Sequence, residues 1–222
     1  MNKRFLLSQA VIILAPVLAA IYFWDALPDQ IPRHYNLRGE VDAFASREFV
    51  FFLPTINLVL ALILNVIPKI DPRSENFAKF RPVYNGIVLG LLGFMSVLSL
   101  SEIFTQTGVA FIRPMQTVYL LGYLFGLLFI VLGVYMKDIE PNYFVGVRTP
   151  WTLENAEVWR RTHRFSGKLF VAAGVALVAL RMIASTAVFF IGMMVVLFGV
   201  TLVSVVYSYL EFQKEKKKAA MS

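Results

Sequence analysis

Two histidines mark the places in this sequence where metal or acid–base chemistry would be centred. His34 is followed by Asn36, Glu40 and Asp42, and these nitrogen and oxygen atoms could surround a metal ion. His34 with Asp42 could also exchange a proton. One histidine with dispersed carboxylates is a weak metal pattern, so we interpret the group as a hydrogen-bonded turn and predict no metal site.

His163 is the second centre, and Glu154 and Glu157 precede it closely enough to form an acid–base pair. No HExxH, GxSxG or phosphate-binding loop accompanies either histidine. The sequence also contains no cysteine, which excludes disulfides, thiol nucleophiles and cysteine metal sites. We therefore predict no catalytic residue, no cofactor and a protein that is not an enzyme.

The elements that must position these residues are membrane helices. Hydrophobic residues make up 58% of the 222 residues, charged residues only 16%, and the mean hydropathy is +0.68. A helix needs roughly 20 apolar residues to span the hydrocarbon core. Six segments reach this length: 5–24, 49–68, 83–104, 115–136, 167–184 and 186–208. The predicted fold is an all-α polytopic membrane protein whose first span is an uncleaved anchor.

The six spans form two groups of three within one integrated membrane domain. The groups are residues 1–104, with the polar loop 25–48, and residues 105–222, with the polar loop 137–166 and a basic tail. A long loop follows the first span of each group, as an inverted repeat would place it, although the groups share no sequence match. The alternative function this suggests is a small-solute or ion transporter, with Asn57 and Asn65 as polar groups in its path.

The distribution of positive charge sets the orientation. Of the 21 Lys and Arg residues, 16 lie in the N-terminus, the segments 69–82 and 137–168, and the tail. Cytoplasmic segments retain such residues, so both termini are predicted inside and the loop 25–48 outside. The net charge of +7 is then mainly a topology signal. We expect the tail to contact anionic lipid headgroups and predict no direct nucleic-acid binding.

The outer loop 25–48 is predicted to form a small folded cap. Pro28 and Pro32 favour extended backbone before them, and the stretch 36–39 is a plausible turn between two short extended pieces. Ser46 would cap the second spanning helix.

The inner loop is predicted to contain an amphipathic helix capped by Thr152. Leu153, Trp159 and His163 share one face of it, while Glu157 can pair with an arginine four residues later. This pattern is typical of a helix that lies in the membrane interface. The residues before it, from Gly146 onward, indicate a folded corner or a docking site.

Small and charged residues within the spans give further expectations. Gly86 with Gly90, and Gly122 with Gly126, indicate close helix packing within the bundle, and a homo-oligomer face is the alternative. Arg181 lies near the outer end of the fifth span and is expected to snorkel toward water. Glu102, at the outer end of the third span, could pair with an arginine.

Both polar loops resemble known family signatures. The stretch VGVRTPWTLENAEVWRRTHRFSGKLF, residues 145–170, closely resembles the signature of the SdpI family of bacterial immunity proteins. The stretch LPDQIPRHYNLRGEVDAFASR, residues 27–47, is similar to the domain of unknown function that often precedes that signature. Six spans are also typical of the family, so the resemblance extends along the whole chain.

The resemblance implies a multi-pass protein of the bacterial cell membrane that protects its host from a secreted killing peptide. It also implies a receptor role, in which the protein holds an ArsR-type transcriptional repressor at the membrane. Mapped onto this sequence, the peptide would meet His34, Asn36, Gly39 and Asp42. The repressor would meet the signature residues Gly146, Arg148, Thr149, Pro150, Trp151, Thr152, Trp159, Thr162, His163, Arg164 and Gly167.

Overall fold

The computed structural model describes residues 2–108 and 114–221, with residues 114–118 described by their backbone only. Of the predicted connection at 105–114, residues 109–113 lie outside the described residues. In chain order the elements are α1 (Lys3–Tyr22), β1 (Gln30–Tyr35), β2 (Val41–Ser46), α2 (Phe52–Ile70), α3 (Asn76–Lys79), α4 (Arg81–Thr107), α5 (Pro114–Met136), α6 (Pro150–Glu154), α7 (Ala156–Ile183) and α8 (Thr186–Ala219). Short 3₁₀ turns precede β1 and α2.

Six of these helices are long and apolar enough to cross a membrane, which confirms the predicted all-α polytopic fold. They are α1, α2, α4, α5, α7 and α8. The segments rich in Lys and Arg meet at one end of the bundle, which we call the cytoplasmic end. The end that carries the β-hairpin is called the extracellular end.

The helix starts follow from local capping chemistry. The Asn155 side chain accepts hydrogen bonds from the backbone N–H groups of Glu157 and Val158 and thereby caps α7. The predicted cap at Thr152 is therefore wrong, because Thr152 lies inside α6. The predicted Ser46 cap is also wrong, since Ser46 precedes a 3₁₀ turn and forms no capping hydrogen bond there.

The two groups of three helices pack differently. In the first group α4 contacts both α1 and α2, whereas in the second group α7 is central and contacts both α5 and α8. Helices α4 and α5 join the groups. An inverted repeat would make the central helix equivalent in both groups, so this packing gives no support to a repeat.

The contact between α5 and α7 is the most extensive in the bundle and depends on glycine. Gly126 faces Gly174 and Gly133 faces Gly167, so the antiparallel backbones approach closely at two levels. A Cβ atom added to Gly133 would lie 2.6 Å from the carbonyl oxygen of Gly167. Gly86 likewise faces Tyr135 of α5. Of the glycines named in the sequence, Gly86 and Gly126 therefore pack against neighbouring helices of the bundle, as predicted, whereas Gly133, Gly167 and Gly174 were not anticipated.

The structure also corrects the expectation for Arg181. Its side chain is 1% exposed and does not snorkel. The guanidinium lies 3.8 Å from the ring centroid of Tyr119 and 5.1 Å from that of Phe189, and it donates a hydrogen bond of 2.9 Å to the carbonyl of Ala184. Gly122 leaves space for the arginine stem. Two aromatic faces and a helix-end carbonyl therefore hold this cation inside the bundle.

The extracellular cap is a two-stranded antiparallel hairpin with irregular register near His34. Its turn is closed by a hydrogen bond of 2.8 Å from the Asn36 N–H to the Glu40 carbonyl, and Gly39 adopts φ 81°. Ile31 is 1% exposed and packs in a cluster with Val50 and Ile103. This apolar anchor fixes the hairpin on the helix ends and confirms the predicted cap.

Candidate functional site

The cytoplasmic signature is organised around His163, which is fully buried at the start of α7. Its Nε2 atom accepts a hydrogen bond of 3.0 Å from the Val147 N–H, so the ring proton resides on Nδ1. Nδ1 donates to the Trp159 carbonyl at 2.9 Å, and the two rings stack with centroids 4.0 Å apart. Both ring nitrogens are therefore occupied by backbone groups, which leaves neither free for acid–base exchange with Glu154 or Glu157.

Gly146 is required by this arrangement. Its φ of 108° lies in a region that residues with a side chain rarely adopt. A Cβ atom at this position would also lie 2.1 Å from the Nε2 atom of His163. The glycine allows the backbone to pass directly over the imidazole and present the Val147 N–H to it.

The loop before Gly146 is held by two further buried side chains. The Trp159 indole donates to the Ile139 carbonyl at 2.7 Å. Asn142 is 0% exposed, and its Oδ1 atom accepts from the N–H groups of Phe144 and Val145 while its amide donates to the Val145 carbonyl. The loop that follows α5 is consequently folded onto α7 and has a defined backbone path.

A capping box completes the corner. The Thr149 N–H donates to Thr152 Oγ1 at 2.9 Å, and the Thr152 N–H donates to Thr149 Oγ1 at 3.3 Å, which starts the short helix α6. The Trp151 indole then donates to Ser208 Oγ of α8 at 2.5 Å. The signature is thus a rigid corner that joins α5, α7 and α8.

The structure differs from the prediction of a separate helix in the membrane interface. The stretch that begins at Ala156 is continuous with the fifth spanning helix, and its face with Trp159 and His163 is buried by protein. The helix is amphipathic, but the preceding loop covers its apolar face, so the predicted interfacial position of Trp159 is wrong.

The loop between α2 and α4 binds the same corner and was not anticipated from the sequence. The Asp71 carboxylate accepts from the N–H groups of Arg73 at 2.7 Å and Tyr143 at 2.8 Å. Arg73 donates to the Leu153 carbonyl at 2.7 Å, and Asn76 donates to the Pro141 carbonyl at 2.8 Å. These bonds tie the first group of helices to the second at the cytoplasmic end. The two partners in each of these bonds between the groups lie far apart in the chain, so no local sequence pattern predicts them.

Charged residues on the corner divide into paired and exposed sets. Arg161 lies 2.6 Å from Glu157, 3.1 Å from Glu211 and 3.0 Å from Glu215, which fastens the end of α8 to α7. Arg148 and Arg164 are exposed, although Arg148 also donates to the Tyr143 carbonyl at 2.6 Å.

The structure brings the predicted docking residues together at one corner but buries most of them. Exposed members are Arg148, Pro150 and Arg164; half-buried members are Gly146 and Trp151; buried members are Thr149, Thr152, Trp159, Thr162, His163 and Gly167. A partner could contact the first group directly, while the last group maintains the shape of the corner.

The predicted outer residues also cluster, on the hairpin. His34 Nδ1 lies 2.6 Å from Asp42 Oδ1, and Asn36 donates to Glu40 at 3.0 Å. Within the described ranges no three His, Asp or Glu side chains are arranged to hold a metal ion. The hydrogen bonds of His34 and Asn36 make this group a polar turn at the tip of the hairpin.

Two family models match this chain, one in its N-terminal part and one in its C-terminal part. The model of the SdpI/YfhL protein family matches residues 138–208, and that of the domain of unknown function DUF1648 matches residues 11–58. The Immunity protein SdpI of Bacillus subtilis (strain 168) is 23% identical over 212 residues, which cover 96% of this chain and 97% of that protein. No solved structure shows significant similarity to the chain. This chain is therefore a multi-pass bacterial membrane protein whose residues 138–208 match the SdpI/YfhL protein family and which is similar to Immunity protein SdpI along almost its whole length.

Proposed function

We propose that this chain is an integral membrane immunity protein that protects a bacterium from a secreted antibacterial peptide. The observation that carries the proposal is the correspondence with Immunity protein SdpI, which includes almost the full length of both chains. Both regions that family models match, the hairpin with α1 and the cytoplasmic corner with α7 and α8, are ordered parts of one fold. The two groups of helices act as one membrane domain in this proposal.

The extracellular hairpin is the proposed contact for the peptide. His34, Asn36, Gly39 and Asp42 lie on one hydrogen-bonded turn that faces the exterior. The side chain of His34 is 67% exposed and that of Asp42 is 43% exposed, so both can reach a ligand. Because Ile31 anchors the strand below, a peptide would meet a preorganised surface, which reduces the entropic cost of binding.

The cytoplasmic corner is the proposed contact for an ArsR-type repressor. Arg148 and Arg164 are exposed cations on a rigid support, and such groups favour encounter and orientation of a partner. The buried His163 and Gly146 would serve this surface indirectly, by holding its backbone. Positive charge at this end also favours anionic lipid headgroups as neighbours.

Transport is the second candidate, and the bundle interior favours it less. Gln9 and Asn65 hydrogen-bond to each other, and the Asn57 amide donates to Ser96 and to the Leu92 carbonyl. These polar side chains link helices and use much of their bonding capacity within the protein, as expected for packing contacts.

A survival assay tests the proposal. Expression of the chain in a peptide-sensitive bacterium is expected to raise survival in the presence of the peptide and leave the peptide intact. Asp42→Asn should reduce protection because it removes the carboxylate that holds His34, whereas Asp25→Asn, an exposed residue at the same end without that contact, should not. Unchanged killing by every tested peptide, with the protein shown to be in the membrane, would contradict the immunity function.

A further inference from the structure

A cavity of about 200 Å³ lies beneath the hairpin at the extracellular end of α2 and α4. Strand β1 forms its roof, and Ser99 and Glu102 of α4 form its floor. The remaining walls are largely apolar and include Val50, Phe49 and Phe52. None of these residues belongs to the cytoplasmic corner or to the polar turn of the hairpin.

Three oxygen-bearing side chains meet around this cavity. Ser99 is 2% exposed, and its hydroxyl forms no hydrogen bond with any residue that the structure describes. The buried Tyr35 hydroxyl lies beside the Glu102 carboxylate, close enough to donate to it. Burial and this carboxylate raise the pKa of Tyr35 to about 12. Glu102 also accepts a hydrogen bond of 2.9 Å from Gln106.

The carboxylate of Glu102 has no Lys or Arg partner within residues 2–108 and 119–221. The predicted pairing with an arginine is thus not found there, and Arg113 lies outside the described residues. A charged carboxylate in this half-buried position is costly unless a cation or several donors compensate it. The buried Ser99 hydroxyl, one helical turn before Glu102, has no hydrogen-bond partner among the described residues and adds a further cost that a bound ligand would remove.

A primary ammonium group matches this set. It has three N–H donors, and the cavity offers a carboxylate and two hydroxyl oxygens as acceptors. The apolar walls suit a methylene stem. The rings of Phe49 and Phe52 stack with centroids 4.8 Å apart and provide an aromatic surface for a cation near the opening. Arg33 also lines the opening, but it is exposed, so solvent and salt screen its repulsion.

We propose that this cavity binds the side-chain ammonium of a lysine in an extracellular peptide, with Glu102 as the counter-ion and Ser99 and Tyr35 as hydrogen-bond acceptors. The identity of the peptide as a secreted toxin rests on the proposed function, whereas the ammonium site does not. A peptide is the chosen source because the roof of the cavity is the hairpin that the proposed function assigns to peptide contact.

Reaction of Glu102 with dicyclohexylcarbodiimide, to whose central carbon a carboxyl group in apolar surroundings adds, provides the test. The full-length protein in detergent is treated, and the sum of the N-acylurea and butylamide products on Glu102 is quantified by mass spectrometry, so that capture of the activated carboxyl by the amine is not counted as protection. Butylammonium, which reproduces the end of a lysine side chain, should protect Glu102 at a concentration at least tenfold lower than tetramethylammonium, which has no N–H donor. Butanol, which has the same stem without the charge, should not protect it.

Matched variants identify the acceptors. Ser99→Ala and Tyr35→Phe should each raise the protective butylammonium concentration about 5- to 10-fold, the effect of one lost hydrogen bond. Ser101→Ala should leave it unchanged, because the Ser101 hydroxyl bonds to the Leu98 carbonyl within α4 and does not line the cavity. Equal protection by butanol or tetramethylammonium, or no adduct on Glu102 in the wild type, would overturn the ammonium site.

The survival assay separates this inference from the proposed function. If the site receives a lysine of the toxin, Glu102→Gln should lower survival, and a toxin with its lysines acetylated should kill wild-type and Glu102→Gln cells equally. If the wild-type protein protects cells but butylammonium does not protect Glu102, the ammonium site is contradicted and the proposed immunity function is not. Binding of butylammonium with full protection by Glu102→Gln would overturn the assignment of the site to a peptide.

Discussion

Gly146→Ala is the substitution whose cost can be worked most directly from the structure. The new Cβ would lie 2.1 Å from the Nε2 atom of His163, and the φ of 108° would strain any residue with a side chain. Backbone strain of this kind costs about 1–3 kcal/mol. Displacing the Val147 N–H from His163 would cost about 1 kcal/mol more for the hydrogen bond itself.

The expected loss is therefore about 3 kcal/mol. For a chain of this size it should lower the melting temperature by roughly 6–12 °C. The assay is thermal unfolding of the purified protein in detergent, followed by tryptophan fluorescence, because Trp159 stacks directly on His163. Gly199→Ala is the control: an added Cβ in the middle of α8 meets no atom within 4 Å, so its melting temperature should stay near that of the wild type.

A double-mutant cycle with His163→Ala assigns the effect to the clash. Removal of the imidazole should relieve part of the cost of Gly146→Ala, so the two changes should cost less together than the sum of each alone. A melting temperature for Gly146→Ala equal to that of the wild type, or strict additivity with His163→Ala, would refute the argument that this glycine is needed for the contact with His163.

Three other predictions follow from the architecture. Single cysteines at Arg38 and Asn155, introduced into the naturally cysteine-free chain, should react with an impermeant maleimide from opposite sides of intact cells; reaction of both from outside would contradict the orientation. The double change Arg148→Gln and Arg164→Gln should reduce co-sedimentation of a repressor with membranes while survival against the peptide is retained, and equal repressor recovery would exclude this face. Gly133→Ala should destabilise the protein by about 2 kcal/mol or more, because its Cβ would lie 2.6 Å from a backbone carbonyl of α7; unchanged thermal unfolding would show that the two helices can separate freely.

The number and approximate position of the spans could be predicted because lipid imposes the same requirement on every spanning helix. A run of about 20 apolar residues is readable without knowledge of the neighbouring helices. The cap was predictable for a similar reason, since the prolines and the Asn36–Gly39 turn act locally. These features depend on residues close together in the chain.

The features that could not be predicted depend on distant partners. The apolar face with Trp159 and His163 could have been covered by lipid or by protein, and helical periodicity is the same in both cases. Arg181 is buried because Tyr119 and Phe189 approach from other helices. The role of Asp71 becomes visible only when the loop around Tyr143 folds back onto it.

The length of helix α7 and its contacts with α5 restrict how the two ends of the bundle can move. The helix runs without interruption from the corner at His163 to Arg181 at the other end, and its 28 residues make it about 42 Å long. The two glycine contacts hold it against α5 at two levels, so any tilt of α7 that preserves these contacts must carry α5 with it. Such a tilt would move the extracellular and cytoplasmic ends of the pair together.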